Sequence, residues 1–164
     1  MQVEQTVPLI YAPPARPIRL GWTGRLACLA IAAGCAYVIA TAFILPPSPN
    51  GVGTHREMGL FPCAMLATTG VPCPSCGMTT SFSWFYKGNL VASLYTQPAG
   101  ALLAMLTAIA LIMATYQAIT ARPIHRMLRV LPIRPWLIAG VGVLAAAWVW
   151  KIAIHVTGHD GWLY

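Results

Sequence analysis

Three long apolar stretches, separated by charged or proline-rich segments, dominate this sequence. They lie at about residues 26–45, 99–116 and 136–154, and each approaches the ~20 apolar residues that cross a hydrocarbon core of ~30 Å. Only 8% of the residues are charged and the mean hydropathy is +0.69, whereas a soluble domain has about 25% charged residues. We therefore predict an all-α integral membrane protein with three transmembrane helices in contact with the lipid bilayer.

A single membrane domain over residues 25–156 accounts for most of the predicted structure. Residues 1–24 contain four prolines, which lack a backbone N–H and prevent a continuous helix, so we expect a cytoplasmic tail. Residues 157–164 form a short C-terminal tail.

Lys151 lies near the outer end of the third span, and we expect its side chain to extend to the membrane surface rather than to be a buried functional cation.

The lysines and arginines are distributed unevenly between the spans. Seven lie before the first span or between the second and third, whereas the long connection between the first and second holds only Arg56 and Lys87. Because cytoplasmic segments carry an excess of Lys and Arg, we expect the N-terminus in the cytoplasm of a bacterial inner membrane and the long connection toward the outer side. The net charge of +7 is then a topology signal, and we expect no nucleic-acid partner.

The long connection contains a cysteine-rich region, residues 58–97. Two apolar segments of about ten residues, 60–69 and 77–86, flank the sequence GVPCPSC. Each is too short to span a bilayer, so we expect two re-entrant or interfacial helices that pack against the spans. Residues 84–87, Trp-Phe-Tyr-Lys, are typical of an interfacial anchor. Residues 88–97 predict a short surface helix, and Pro98 the start of the second span.

The C-x-x-C pair in this region, Cys73 and Cys76, allows three interpretations. It favours a structural turn, with a disulfide or two packed thiols, that fixes how the two short helices dock. It is also compatible with thiol–disulfide exchange, in which Cys76 begins the following helix and the helix dipole lowers its thiol pKa. Cys73 and Cys76 are therefore the candidate catalytic residues, although the sequence favours a non-enzymatic protein.

The third interpretation is a zinc or copper site. A C-x-x-C pair supplies half the ligands of a tetrahedral site, and the sequence has no second such pair. Cys63 lies ten residues upstream, and three histidines are predicted on the same side of the membrane. The candidate metal ligands are Cys63, Cys73, Cys76, His155 and His159, with His55 as a further histidine in the long connection.

Residues 60–106 resemble a family of small bacterial membrane proteins known as domain of unknown function 2752. The resemblance rests on Cys63, on a Gly-x-Pro-Cys-Pro-x-Cys-Gly-Met-Thr motif, on a following Gly-Asn-Leu and on Pro98. The motif residues are Gly70, Pro72, Cys73, Pro74, Cys76, Gly77 and Thr79. This sequence departs from the pattern at Ser81, near where members often carry arginine. The resemblance implies a multi-span helical inner-membrane protein and brings no established reaction or ligand.

The leading functional interpretation is a non-enzymatic accessory or partner-binding membrane component without a cofactor. Only three acidic residues are present, and no catalytic triad or phosphate-binding glycine loop is recognisable. Small residues at Ala30 and Gly34, and at Gly140 and Gly142, allow helices to approach closely, so we expect contacts with other membrane proteins or self-association. Thiol–disulfide exchange and zinc or copper binding remain the alternatives.

Overall fold

The computed structural model describes residues 19–123 and 132–162. Within these ranges the chain is all-helical and contains no strand, which confirms the predicted class. A 3-10 helix covers Thr54–Met58. The α-helices are α1 (Trp22–Ile44), α2 (Ala64–Thr69), α3 (Met78–Tyr86), α4 (Leu90–Thr96), α5 (Pro98–Thr120) and α6 (Ile133–Val156). The greater part of the predicted proline-rich tail, and the last two residues of the C-terminal tail, lie outside the described residues.

Helices α1, α5 and α6 are long and apolar enough to cross a membrane. They contain 23, 23 and 24 residues, and at a rise of about 1.5 Å per residue each reaches ~35 Å. The three predicted spans are confirmed. Helices α5 and α6 extend beyond the predicted stretches at both ends, whereas α1 begins four residues before its stretch and ends one residue short of it. Pro98 is the first residue of α5, as its missing N–H favours at this position.

Helices α1 and α5 form the main packed pair. The start of α1 lies beside the end of α5, because Arg25 Nε donates to the carbonyl of Ala118 at 2.9 Å and Leu20 N donates to that of Ala121 at 2.8 Å. The pair is therefore antiparallel. The buried positions of both helices are mainly alanines, with Ala104 completely buried in α5. Such small side chains let helix backbones approach closely.

A helical hairpin, α3 and α4, packs against α5. Asn89 caps α4 by accepting a hydrogen bond from Ala92 N at 2.9 Å, the usual role of Asn at this position. Ser81 and Ser93 are completely buried and join the two helices: Ser81 Oγ lies 2.9 Å from the Ser93 carbonyl, and Ser93 Oγ lies 2.8 Å from the Ser81 carbonyl. Gly100 of α5 lies against Ser81, where a Cβ would come within 2.9 Å of its side chain.

The short helices expected on either side of the cysteine motif are confirmed as α2 and α3, and the expected short helix over residues 88–97 as α4. The prediction for Trp84 is wrong. It was expected at the membrane interface, but it is 7% exposed and buried within the protein. Its neighbour Tyr86 donates from its hydroxyl to the carbonyl of Ala104 at 2.7 Å. The aromatic run of α3 therefore packs partly inward against α5.

Candidate functional site

The Cys-Pro-Ser-Cys segment folds into two overlapping turns. Cys76 N donates to the carbonyl of Cys73 at 2.9 Å, and Met78 N donates to that of Ser75 at 3.1 Å. Gly77 then caps α3 with φ of +83°, a left-handed conformation that glycine adopts without steric cost. Cys76 therefore lies one residue before the cap, close to the helix start that the sequence predicted for it.

Side chains from two other helices fix this turn from outside. Trp148 of α6 donates from Nε1 to the carbonyl of Pro72 at 2.9 Å. Gln97, completely buried at the start of α5, donates from Nε2 to the carbonyl of Pro74 at 2.9 Å. Proline has no N–H to donate, but its carbonyl remains a full acceptor. Both prolines of the motif thus connect the cysteine turn to the bundle.

Three cysteine sulfurs converge at the turn. Cys63, the residue before α2, joins Cys73 and Cys76, and all three Sγ atoms lie within 4.8 Å of one another. Cys73 and Cys76 are 3.3 Å apart, well beyond the ~2.05 Å of a disulfide, and all three are free thiols. The Oγ of Ser75 lies 3.2 Å from Cys73 Sγ. The arrangement is a compact group of three thiols contributed by two segments of the chain.

The environments of these thiols differ. The backbone N–H of Leu66, in the first turn of α2, lowers the pKa of Cys63 to about 7, and hydrogen bonding to Cys73 and Cys76 acts in the same direction. Burial raises the pKa of Cys76 to about 12, with a further contribution from the neighbouring thiols of Cys73 and Cys63. The expectation that the helix dipole lowers the pKa of Cys76 is wrong, because desolvation outweighs it.

Two cavities meet at the thiols. The larger, of about 560 Å³, is bounded by α1, α3 and the cysteine turn, and its wall includes Met58 and Met78. The smaller, of about 270 Å³, is more polar and is bounded by the residues that precede and carry the 3-10 helix. Cys63, Cys76 and His55 line both cavities. These three side chains therefore form part of the partition between an apolar and a polar space.

The two histidines named as candidate ligands lie elsewhere, at the end of α6. His155 Nδ1 is hydrogen-bonded to a carboxylate oxygen of Asp160. The backbone carbonyl of His159 accepts a hydrogen bond from the Tyr95 hydroxyl at 2.8 Å. In the described ranges, the group of potential ligand atoms within 4.8 Å of one another consists of the three cysteines and includes neither histidine.

Lys151 does not extend to the membrane surface, so that expectation is wrong. Its side chain is completely buried, with Nζ 2.7 Å from Asp160 Oδ1 and 3.1 Å from the carbonyl of Gly51. The chain after α6 turns back through Gly158, which has φ of +72°, and this turn brings the carboxylate to the lysine. A cation within a span is stable when it pairs with such a group.

The buried ion pair lies directly behind the cysteine turn. A Cβ on Gly77 would fall 3.2 Å from Lys151 Nζ and 2.8 Å from the carbonyl of Gly51. Sequence reasoning missed this contact. The available signals were a single lysine inside an apolar span and one of only three acidic residues, Asp160, nine positions later.

The fold and the site define a three-span, all-helical membrane protein with a three-thiol group at the turn between α2 and α3. Residues 63–111 match the model of a family described as "Protein of unknown function (DUF2752)", which confirms the resemblance inferred from the motif. The match covers less than a third of the chain and includes all three cysteines, whereas Lys151 and Asp160 lie beyond it. Neither curated proteins nor solved structures gave a match.

Proposed function

We propose that this protein is a membrane metal-binding protein in which Cys63, Cys73 and Cys76 coordinate zinc or copper(I). The observation that carries the proposal is the convergence of three sulfurs from two separate segments. A purely structural C-x-x-C turn needs only its own two cysteines and gives no reason for Cys63 to join them.

The spacing of the sulfurs suits a thiolate metal centre. Tetrahedral zinc with Zn–S bonds of ~2.3 Å holds its sulfurs ~3.8 Å apart. The distances here extend from 3.3 Å for Cys73 and Cys76 up to a limit of 4.8 Å for the group, so small side-chain rotations suffice for coordination. Thiolates select zinc and copper(I), and the thioethers of Met58 and Met78 in the adjoining cavity wall favour the same soft ions.

Metal content provides the direct test. We expect one zinc or copper ion per full-length chain purified in detergent, and loss of that ion in Cys73→Ser. The matched control is Cys28→Ser, which removes a thiol from α1 away from the cavities and should keep full metal content. Full occupancy in Cys73→Ser would overturn the proposal, as would a metal-free wild-type protein that does not take up zinc or copper(I) on addition.

The orientation in the membrane is part of the same proposal. The distribution of arginines supports a bacterial cytoplasmic membrane with the N-terminus inside and the thiol group toward the outer side. In cells depleted of zinc and copper we expect a membrane-impermeant thiol reagent to modify Cys63. Modification only after the membrane is permeabilised would reverse the orientation.

An accessory role is compatible with metal binding and rests on the exposed half of α6. In this helix, residues 133–146 are exposed on all faces, and a Cβ at Gly140 or Gly142 would meet nothing within 4 Å. This surface is free to contact lipid, another membrane protein or a second copy. Disulfide cross-linking through Gly140→Cys should distinguish these partners: a specific dimer or heteromer supports association, and its absence supports lipid contact.

A second candidate function is thiol–disulfide exchange, favoured by the 3.3 Å contact of Cys73 and Cys76 and the lowered pKa of Cys63. In this reaction the two thiols form a disulfide and lose two electrons and two protons, while a disulfide of the partner is reduced to two thiols. Alkylation of cysteines in intact membranes tests it. Interconversion of Cys73 and Cys76 between a disulfide and free thiols as the redox state of the membranes changes supports exchange, whereas a permanent disulfide or permanently free thiols exclude it.

A further inference from the structure

We infer that His55 supplies the fourth ligand and completes a Cys₃His zinc site with Cys63, Cys73 and Cys76. This inference rests on the proposed metal function and adds the ligand that fixes metal and geometry. A trigonal copper(I) site needs only the three thiolates, whereas zinc in structural sites is almost always four-coordinate with sulfur and nitrogen ligands.

The position of His55 is the first argument. Its side chain lines both the apolar and the polar cavity, as do Cys63 and Cys76, so the imidazole lies in the same partition as two of the thiols. The other histidines of the described ranges, His155 and His159, line neither cavity. The His55 ring is not part of the group of ligand atoms within 4.8 Å of one another, so metal binding must draw the imidazole toward the three sulfurs.

The orientation of the ring is the second argument. His55 Nε2 lies 3.1 Å from the carbonyl of Phe61, and a carbonyl only accepts hydrogen bonds. The proton is therefore on Nε2, which leaves the lone pair of Nδ1 available for a metal. Metal-binding histidines almost always donate their second ring N–H to a carbonyl or carboxylate in this way, because the contact fixes the tautomer and the ring orientation. Phe61 is also only two residues from Cys63.

The backbone that carries His55 is the third argument. Thr54 is 1% exposed, and its Oγ1 lies 2.8 Å from Thr80 Oγ1 in α3 while it accepts a hydrogen bond from Ser48 N at 3.0 Å. The residue before His55 is thus attached to the helix that begins just after Cys76. A ligand loop held this firmly to the cysteine turn loses little entropy when the metal binds.

One neighbouring group competes with His55 for the fourth position. Glu57 lines the polar cavity, and a carboxylate oxygen is an acceptable zinc ligand. Arg56, the residue before Glu57 in the sequence, lines the same cavity. The experiment must therefore separate imidazole from carboxylate as well as from sulfur.

Zinc X-ray absorption of the full-length protein in detergent tests the inference. We expect three sulfurs and one nitrogen in the wild type, with the outer-shell scattering of an imidazole ring. His55→Gln should lose the imidazole signal, keep the three sulfurs and bind zinc at least ~10-fold more weakly. His159→Gln is the matched control, since that side chain is exposed and lines neither cavity, and should leave the spectrum unchanged.

The outcomes separate this inference from the function on which it rests. If zinc is bound by three sulfurs but the wild type shows no imidazole, or the imidazole signal persists in His55→Gln, His55 is not the ligand and the three-thiol site stands. Loss of the fourth ligand in Glu57→Gln instead would assign the carboxylate and overturn the role of His55. If the wild type binds no zinc through sulfur, the proposed function itself fails.

Discussion

The buried ion pair behind the cysteine turn predicts an asymmetric response to mutation. Lys151 is completely buried, whereas Asp160 keeps 14% of its side chain exposed and a second contact to His155. In Asp160→Asn the lysine loses its counter-charge and retains only neutral acceptors, the introduced amide oxygen and the carbonyl of Gly51 at 3.1 Å. Removing one partner of a buried pair costs about 3–5 kcal/mol, and we expect this variant to fall in that range.

Removing the lysine should cost less than removing the carboxylate. In Lys151→Met the carboxylate of Asp160 still contacts His155 and reaches solvent, so the unpaired charge is partly hydrated. We expect a loss of about 1–3 kcal/mol. The double variant removes both charges, so no unpaired charge is left buried, and it should be more stable than Asp160→Asn alone.

Reversible unfolding of the full-length protein in mixed detergent micelles measures these differences. The free energies of unfolding should rank wild type first, then Lys151→Met, then Asp160→Asn, with the double variant above Asp160→Asn. Equal losses for the two single variants would show that Lys151 is hydrated in the folded protein. A double variant as unstable as the sum of the two single changes would refute the assigned ion pair.

Three further predictions concern the turn and the polar core. Gly77→Ala should destabilise the protein by about 1–3 kcal/mol more than Gly59→Ala, because both have positive φ but only Gly77 faces a carbonyl at 2.8 Å; equal melting temperatures would contradict this. In metal-free protein, alkylation of Cys63 should reach half its maximum rate near pH 7, because its lowered pKa yields thiolate above that pH. Cys76, with its pKa raised to about 12, should stay unmodified up to pH ~9. Equal alkylation rates for the two cysteines would refute these environments. Ser81→Ala should cost about 0.5–1.5 kcal/mol in unfolding free energy, since the hydrogen bond from the buried Ser81 hydroxyl to the carbonyls of Ser93 and Gln97 is lost while both carbonyls keep a backbone N–H donor. An unchanged unfolding midpoint would exclude that role.

The elements governed by local sequence were predictable. Long apolar stretches require burial in a bilayer or a core, so α1, α5 and α6 follow from length and composition. The glycines and prolines around Cys73 cannot continue a helix, so the break between α2 and α3 was also visible. Pro98 marked the start of α5 for the same local reason, its fixed φ and missing N–H.

The contacts that depend on distant residues were not predictable. Lys151 was expected at the surface because its nearest polar environment along the helix is the membrane interface, and the sequence does not reveal that Asp160 folds back to it. Ser81 differs from the family pattern in the sequence, but its partners, Ser93 in α4 and Gln97 just before α5, are revealed only by the structure. Cys63 is a candidate ligand from the sequence. The sequence does not show, however, that its sulfur lies close to those of Cys73 and Cys76, which the structure places within 4.8 Å of one another.

Protection of thiols by metal tests the central claim most directly. Full-length protein in detergent is alkylated with and without zinc or copper(I), and the modified cysteines are identified by mass spectrometry. We expect metal to protect Cys63, Cys73 and Cys76 together, and Cys28 and Cys35 to be modified to the same extent in both samples. Modification of Cys63 that is unaffected by either ion would contradict a three-thiolate metal centre.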